Sequence, residues 1–356
     1  LEPVSGFRSQ YDYDNLLYIV AGEVVERVSG MPYEQFVVEN FIEPLGMERT
    51  VMNFKKIEDK TNYIEGHAPV DGELMTVGLS FTDAANAAAG MWSSVNDMSK
   101  WVIAQLNHGK YGENLTDSLF SERMHEEMWS PQTIIDRSGG PYNTHFSSYG
   151  LGWFLSDVNG YKQVSHTGGL LGIVSQVTMI PELDLGIIVL TNQQSGSAFN
   201  AITNTIKDAY FGIEGENRIK QYNEARLRRE ARAQEVVEEV WAEVEAQQKT
   251  NQGEVNLDRY TGTYKDPWFG KVTISKKDGN LYFKSENVSD LQGEMSFYKG
   301  NTFVVKWNNR TLKADAFVIF RLNKDAEASG FKMEAISPMT DFSFDFQDLN
   351  FEKVWE

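Results

Sequence analysis

The stretch KQVSHTGGLLGIVSQVTMIPELDLGIIVLT, residues 162–191, decides the fold. Apolar and β-branched runs over 162–166, 173–180 and 186–191 are separated by turn signals, a pattern of short strands. Pro181-Glu182-Leu183-Asp184 is a natural hairpin loop between the last two, because proline presets φ and aspartate bonds its own backbone. With a further run over 149–155 these segments predict an antiparallel sheet, closed by a helix over about 198–210.

Upstream the periodicity changes. From Asn15 to Ser29, Leu17, Val20, Val24 and Val28 recur at three- and four-residue spacing, and Glu23, Glu26 and Arg27 take the other face. Gly30 follows as a C-cap, so an amphipathic helix is expected over 15–29. Further helices are expected over 33–41, 83–89, 94–106 and 119–128, the third of these opening with the capping signal Ser94 to Asp97. Residues 50–80 read as loop-rich. The first 130 residues are therefore mainly α.

Downstream, residues 214–249 are dense in Glu, Arg, Gln and Ala, with Val236, Val237, Val240, Trp241 and Val244 as a sparse apolar stripe. This predicts a connecting helix lying on a neighbour. After Gly253, short alternating runs with Gly and Asp-Gly turns, at 270–275, 281–284, 302–306 and 317–322, predict a small β-barrel of about 100 residues.

Composition bounds the partners. The 356 residues carry 33 Lys and Arg against 51 Asp and Glu, a net charge of −18 that disfavours nucleic acid and anionic lipid. With no cysteine there is no disulfide framework and no thiolate metal site or nucleophile. No apolar run approaches the roughly 18–20 residues of a membrane span. His67, His108, His125 and His145 are scattered and no His-Glu-x-x-His occurs, so neither metal nor cofactor is expected. The opening Leu-Glu-Pro-Val-Ser-Gly-Phe-Arg has neither an initiator methionine nor signal-peptide regions and reads as the middle of something longer.

Two short motifs carry chemistry. Tyr13-Asp14-Asn15 at a helix entry can aim a phenol and a carboxamide into one cleft, although Asn15 serves equally as a helix cap. His166-Thr167-Gly168-Gly169 ends a strand. On an edge strand such residues suit a substrate carboxylate and leave bare backbone beside an acyl chain, and the Gly169 amide can face a developing oxyanion. Alone, His166 reads equally as a structural histidine and Gly168-Gly169 as a turn.

Six stretches in order join these motifs: residues 7–15, 26–30, 44–47, 89–94, 149–153 and 165–169. Together they look like the β-lactamase-related serine hydrolase family, which includes class C β-lactamases, D,D-peptidases and esterases. The resemblance implies an α/β (α+β) fold, a helical subdomain beside an antiparallel sheet. It implies a partial β-lactamase/transpeptidase-like domain over 1–212, incomplete at the N-terminus, and a helical linker over 213–252. Residues 253–356, through 257–264 and 340–346, resemble the lipocalin-like barrel domain appended to many of these hydrolases. Such a barrel helps shape the cleft or the assembly in relatives, or is passive.

Carried over, Tyr13 is the proton-relay phenol, Asn15 the amide contact, and His166 and Thr167 the carboxylate-side contacts. Gly168 and Gly169 line the substrate, with the Gly169 amide as half of an oxyanion hole. A histidine in place of the more usual lysine resembles the esterase and D-amino-acid peptidase branches. The family's Ser-x-x-Lys belongs well upstream of Tyr-x-Asn, where this chain has twelve residues. The two literal matches, at 296–299 and 329–332, fall in strand-like sequence of the barrel, where i and i+3 do not share a face.

The expected function is hydrolysis of D-residue peptides, esters or β-lactams through an acyl-serine, with this chain inactive by itself. The alternative is a non-catalytic ligand-binding or scaffolding protein. Expected partners are a small-molecule or peptide substrate, the missing N-terminal segment or a homo-oligomer. Family habit implies a periplasmic or secreted location.

Overall fold

Residues 133–191 form a six-stranded sheet in the computed structural model, which describes residues 5–70, 72–78, 82–250 and 255–355. Its strands are β1 (Thr133–Ile135), β2 (Ser147–Tyr149), β3 (Phe154–Val158), β4 (Tyr161–Leu170), β5 (Ile173–Ile180) and β6 (Leu185–Thr191). They lie in the order β6-β5-β4-β3-β2-β1 and pair antiparallel throughout. Pro181–Leu183 closes the β5–β6 hairpin as expected, with Asp184 left-handed at φ 51°. The run expected over 149–155 is instead two strands. The chain reverses at Gly152, φ 80°, so that Tyr149 pairs with Phe154.

The α-helices of five residues or more are α1 (Asn15–Ser29), α2 (Tyr33–Val37), α3 (Val95–Leu106), α4 (Glu122–Met128), α5 (Gly196–Phe211) and α6 (Arg218–Thr250), while 83–89 forms a 3-10 turn, Asp83–Ala85, and a four-residue helix, Asn86–Ala89. Ser94 caps α3 by accepting the Asp97 N–H at 3.2 Å. The helix expected over 33–41 is α2 followed by a π-helical stretch, Val38–Ile42. The loop-rich segment contains two short strands, Gly66–Val70 and Glu73–Val77.

Side chains alternate along a strand, so β4, β5 and β6 serve two cores. Val164 and Met179 pack with Val102 of α3 and with Trp129, Trp153 and Leu155. Ile180, Leu185, Ile187 and Val189 pack with Phe199 of α5 and with Tyr142. Gly186 is required by the first of these packings: a Cβ there would lie 2.4 Å from Val102 Cγ1.

The chain divides into two compact units, one of Glu2–Ala68 and Leu74–Tyr222, the other mainly of Asn223–Glu356. In the second, Val240 and Val244 of α6, flanked by Val237 and Trp241, pack with Val304 and Ile336. Here a closed barrel runs through β7 (Gly262–Asp266), β8 (Gly270–Lys277), β9 (Asn280–Ser285), β10 (Gln292–Lys299), β11 (Thr302–Trp307), β12 (Ala316–Leu322), β13 (Ala328–Ala335) and β14 (Asn350–Lys353). All pairings are antiparallel and β14 returns to β7, which fits the lipocalin-like description. Tyr264, Phe283, Phe303, Trp307, Phe320, Phe331 and Phe351 fill its interior, and the Trp307 indole donates to the Ala314 carbonyl at 2.6 Å.

The apolar stripe of α1 corrects the sequence expectation. Its limits are as expected, with Gly30 left-handed at φ 75°, yet Leu17, Val20, Val24 and Val28 are 53% to 83% exposed. The helix buries Gly22 instead, whose absent side chain admits Ala87 and the Tyr33 ring. Close approach through a glycine has won over burial of the valines. Such a bare stripe favours association. Light scattering should show the chain self-associating, and Leu17→Glu with Val24→Glu should shift it to smaller species; a compact monomer with a cooperative melt contradicts this.

One buried ion pair joins α5 to the start of α6. Arg218 Nε and Nη2 donate to the two Asp208 oxygens at 2.7 and 3.0 Å, and the Tyr142 hydroxyl lies 2.8 Å from Asp208 Oδ1. Burial alone would raise the Asp208 carboxyl; the bonds from Arg218 and Tyr142 outweigh it and hold the group below its ordinary range. Arg218→Met should cost about 3–5 kcal/mol in urea unfolding, since Asp208 is left buried without its partner. The double change with Asp208→Asn should cost less. A carboxyl held low stabilises above its unfolded pKa of about 4, and the gain is lost as pH falls through the lower folded value. Wild type should therefore lose more stability between pH 5 and 2, values chosen to span that range, than Asp208→Asn does.

Candidate functional site

β4 is an interior strand of the sheet, not the edge strand expected, but it outruns one neighbour. Its pairing with β3 ends at Ser165 opposite Phe154, while its pairing with β5 continues to Leu170 opposite Ile173. From His166 onward that side of the strand has no strand partner among the described residues. Thr167, Gly168 and Gly169 are exposed there. Gly168 has a packing reason, since a Cβ would come to 2.6 Å of Ser175 Oγ. At Gly169 the nearest atom to such a Cβ is Val174 Cγ1 at 4.0 Å, so its bare backbone is not required by the sheet.

Tyr13 and His166, distant in sequence, come together with ring centroids 6.1 Å apart. Tyr149 and Phe154 complete the surroundings of the imidazole at 6.0 and 5.5 Å, and Tyr11 packs on both at 5.5 and 5.8 Å. Tyr149 Oη lies 2.9 Å from His166 Nε2, Tyr18 Oη 3.1 Å from Tyr149 Oη, and His166 Nδ1 2.7 Å from the Thr167 carbonyl. Asn15 is the exposed first residue of α1. The cap is Asp14, which accepts the Leu16 N–H at 2.6 Å.

Burial dominates the electrostatics. It pushes the Tyr11 phenol up to about 12, with Tyr13 and Tyr18 adding to it, and raises Tyr13 in the same way. It raises Tyr149 further, with the neighbouring phenols of Tyr18, Tyr13 and Tyr11 adding to it. Burial also lowers His166, against the smaller pull of the Thr167 carbonyl. At neutral pH the cluster is thus a set of neutral donors and acceptors.

Sequence reasoning did not single out Tyr11, Tyr18, Tyr149 or Phe154. The signal was there for the first two, in three tyrosines between 11 and 18, and Tyr149 sat in a stretch read as a strand and for resemblance, with no role attached. The Ser-x-x-Lys matches are placed as strand residues of β10 and β13. Ser296 is buried while Lys299 pairs with Glu243 at 3.1 Å, and Ser329 Oγ donates to the Arg321 carbonyl at 3.2 Å.

The histidines are less scattered than the sequence implied. The folding of α4 under α3 brings His108 and His125 to 4.8 Å between rings, with Trp129 at 4.1 Å from His125. Among the described residues no three His, Asp or Glu side chains group as metal ligands. Burial, then His108, drives His125 down to about 4. It is therefore neutral when folded and protonates near 6.5 when unfolded, so its stability contribution is complete above that pH and declines towards about 4. His125→Phe should flatten the fall in melting temperature between these values; an unchanged acid limb would contradict the assignment.

The fold has known counterparts. The structure resembles the octameric penicillin-binding protein homologue from Pyrococcus abyssi with a TM-score of 0.50 and 18% identity, over 98% of this chain and 66% of that one. This is a likeness of fold. Residues 1–210, more than half of the chain, match the family model described as Beta-lactamase, and the chain belongs to that family. Residues 246–353 match a domain of unknown function, DUF3471. Among curated relatives, unguisins hydrolase ungD of Aspergillus violaceofuscus is 26% identical over 59% of this chain and 40% of its own length. D-alanyl-D-alanine-carboxypeptidase/endopeptidase AmpH of Escherichia coli is 23% identical over 58% of this chain and 51% of its own length. The chain thus spans about half or less of each of these two.

Proposed function

We propose that this chain carries the substrate-binding part of a serine hydrolase of the β-lactamase and D,D-peptidase type, which works through an acyl-serine on D-residue peptides, esters or β-lactams. The observation that carries the reading is the open side of β4 from His166 to Leu170 beside the Tyr13 and Tyr149 phenols. An extended acyl chain can add to such an edge through backbone bonds. In this reading Tyr13 relays protons, Asn15 contacts the substrate amide, and His166 and Thr167 hold the far end of the substrate. Gly168 and Gly169 line it, and the Gly169 amide faces the oxyanion.

The acylating serine is assigned to no residue of this sequence. We place the hydrolase domain at 1–212, the helical linker at 213–252 and the barrel at 253–356, in a periplasmic or secreted protein. Family membership and the relatives named as hydrolases support the reaction class. The strand setting of Ser296 and Ser329 favours a second reading, a ligand-binding protein that uses the same edge without chemistry.

The test is intact-mass analysis after incubation with a fluorescent penicillin and with an activated ester, beside NMR titration with an acetylated D-alanyl-D-alanine peptide. The peptide should shift the Thr167 to Gly169 amides and bind about tenfold more weakly to Thr167→Val, the effect of one hydrogen bond. No adduct is expected at Ser296 or Ser329. An adduct at either moves the active site into the barrel, and a peptide that leaves 167–169 unshifted removes the cleft.

A further inference from the structure

The Thr167 carbonyl oxygen can only accept, so His166 Nδ1, 2.7 Å away, must carry a proton. In the neutral imidazole Nε2 is then an acceptor, and its partner at 2.9 Å, the Tyr149 hydroxyl, is the donor. A phenol has one proton to give. Towards Tyr18, 3.1 Å away, Tyr149 must therefore accept, and Tyr18 donates. One carbonyl thus orients the three linked hydrogen bonds that run from Tyr18 of α1 through Tyr149 of β2 to His166 of β4.

We infer that Tyr149 is a positioning residue for His166: its hydroxyl, braced by Tyr18, fixes the imidazole as the Nδ1–H tautomer with both nitrogens engaged inside the protein. This rests on the reading that His166 lines the substrate edge, and it changes what the histidine does there. The imidazole offers a ligand no open nitrogen. A ligand that bonds to His166 must displace the Tyr149 hydroxyl, which leaves Tyr149 donating to that ligand in turn. The contact passes through a phenol that burial holds protonated, not through a cation.

The groups facing the ring come from four elements. Tyr13 lies in the segment before α1, Tyr149 on β2, Phe154 on β3, and the Thr167 carbonyl on β4 itself. Tyr18 of α1 stands one bond further out. The Tyr149 hydroxyl meets Nε2 at 2.9 Å.

Long-range proton–nitrogen NMR of the imidazoles reads the tautomer without any ligand. The His166 signals are those lost in His166→Gln. In wild type at pH 7.5, a condition chosen for a neutral imidazole, His166 should show a protonated-type Nδ1 and an unprotonated-type Nε2. In Tyr149→Phe the Nε2 resonance should move towards the tautomer average, and the titration midpoint should shift upward because a bond to the neutral form has gone. Tyr18→Phe keeps the first link and should give a smaller change of the same sign; it serves as the test if Tyr149→Phe does not fold. An Nε2–H tautomer in wild type, or His166 signals unchanged in both variants, overturns the inference. Failure of the D-residue peptide to bind would overturn the proposed function and leave this readout as it is.

Discussion

The sheet between α3 and α5 is buried on both faces, and this sets the terms for the rest of its unit. Strands β4, β5 and β6 must satisfy two cores with alternate residues, so a slip of one residue would exchange Met179 for Ile180 and put the wrong shape into each. The same double burial admits α3 so closely that position 186 has room only for glycine. With register fixed from Ile173 to Leu185, the distance by which β4 outruns β3 is fixed as well. The open side beginning at His166 is a product of strand lengths, not of loop conformation.

Much of this was legible. Residues 173–180 and the hairpin after them fall at their predicted limits because β-branched runs and turn residues speak directly to local geometry. The limits of α1 were readable for the same reason, from its C-cap glycine. The direction α1 faces was not. Periodicity says which residues share a face, whereas the choice between burying four aliphatics and docking through Gly22 depends on Ala87 and Tyr33, far along the chain or in another helix.

The candidate site divides in the same way. His166, Thr167 and the two glycines are contiguous, and a motif reveals them. The aromatic rings that surround the histidine, Tyr13, Tyr149 and Phe154, arrive from three separate segments, and only Tyr13 belonged to a motif with a role attached. Tyr149 was hidden by the break at Gly152, which turned an apparent single strand into a hairpin and brought Tyr149 opposite Phe154. A bent chain at one glycine thus decided which side chain meets the imidazole.

The closed barrel has a consequence of a different kind. Its first strand, β7, pairs with its last, β14, through Tyr264 opposite Lys353 and Lys265 opposite Glu352. The ring has no end strand, so shortening it from either terminus creates two raw edges and not a smaller sheet. Because the two termini of the barrel meet on neighbouring strands, its order in space does not depend on where the polypeptide starts: a chain opened at any hairpin and rejoined between β14 and β7 describes the same object.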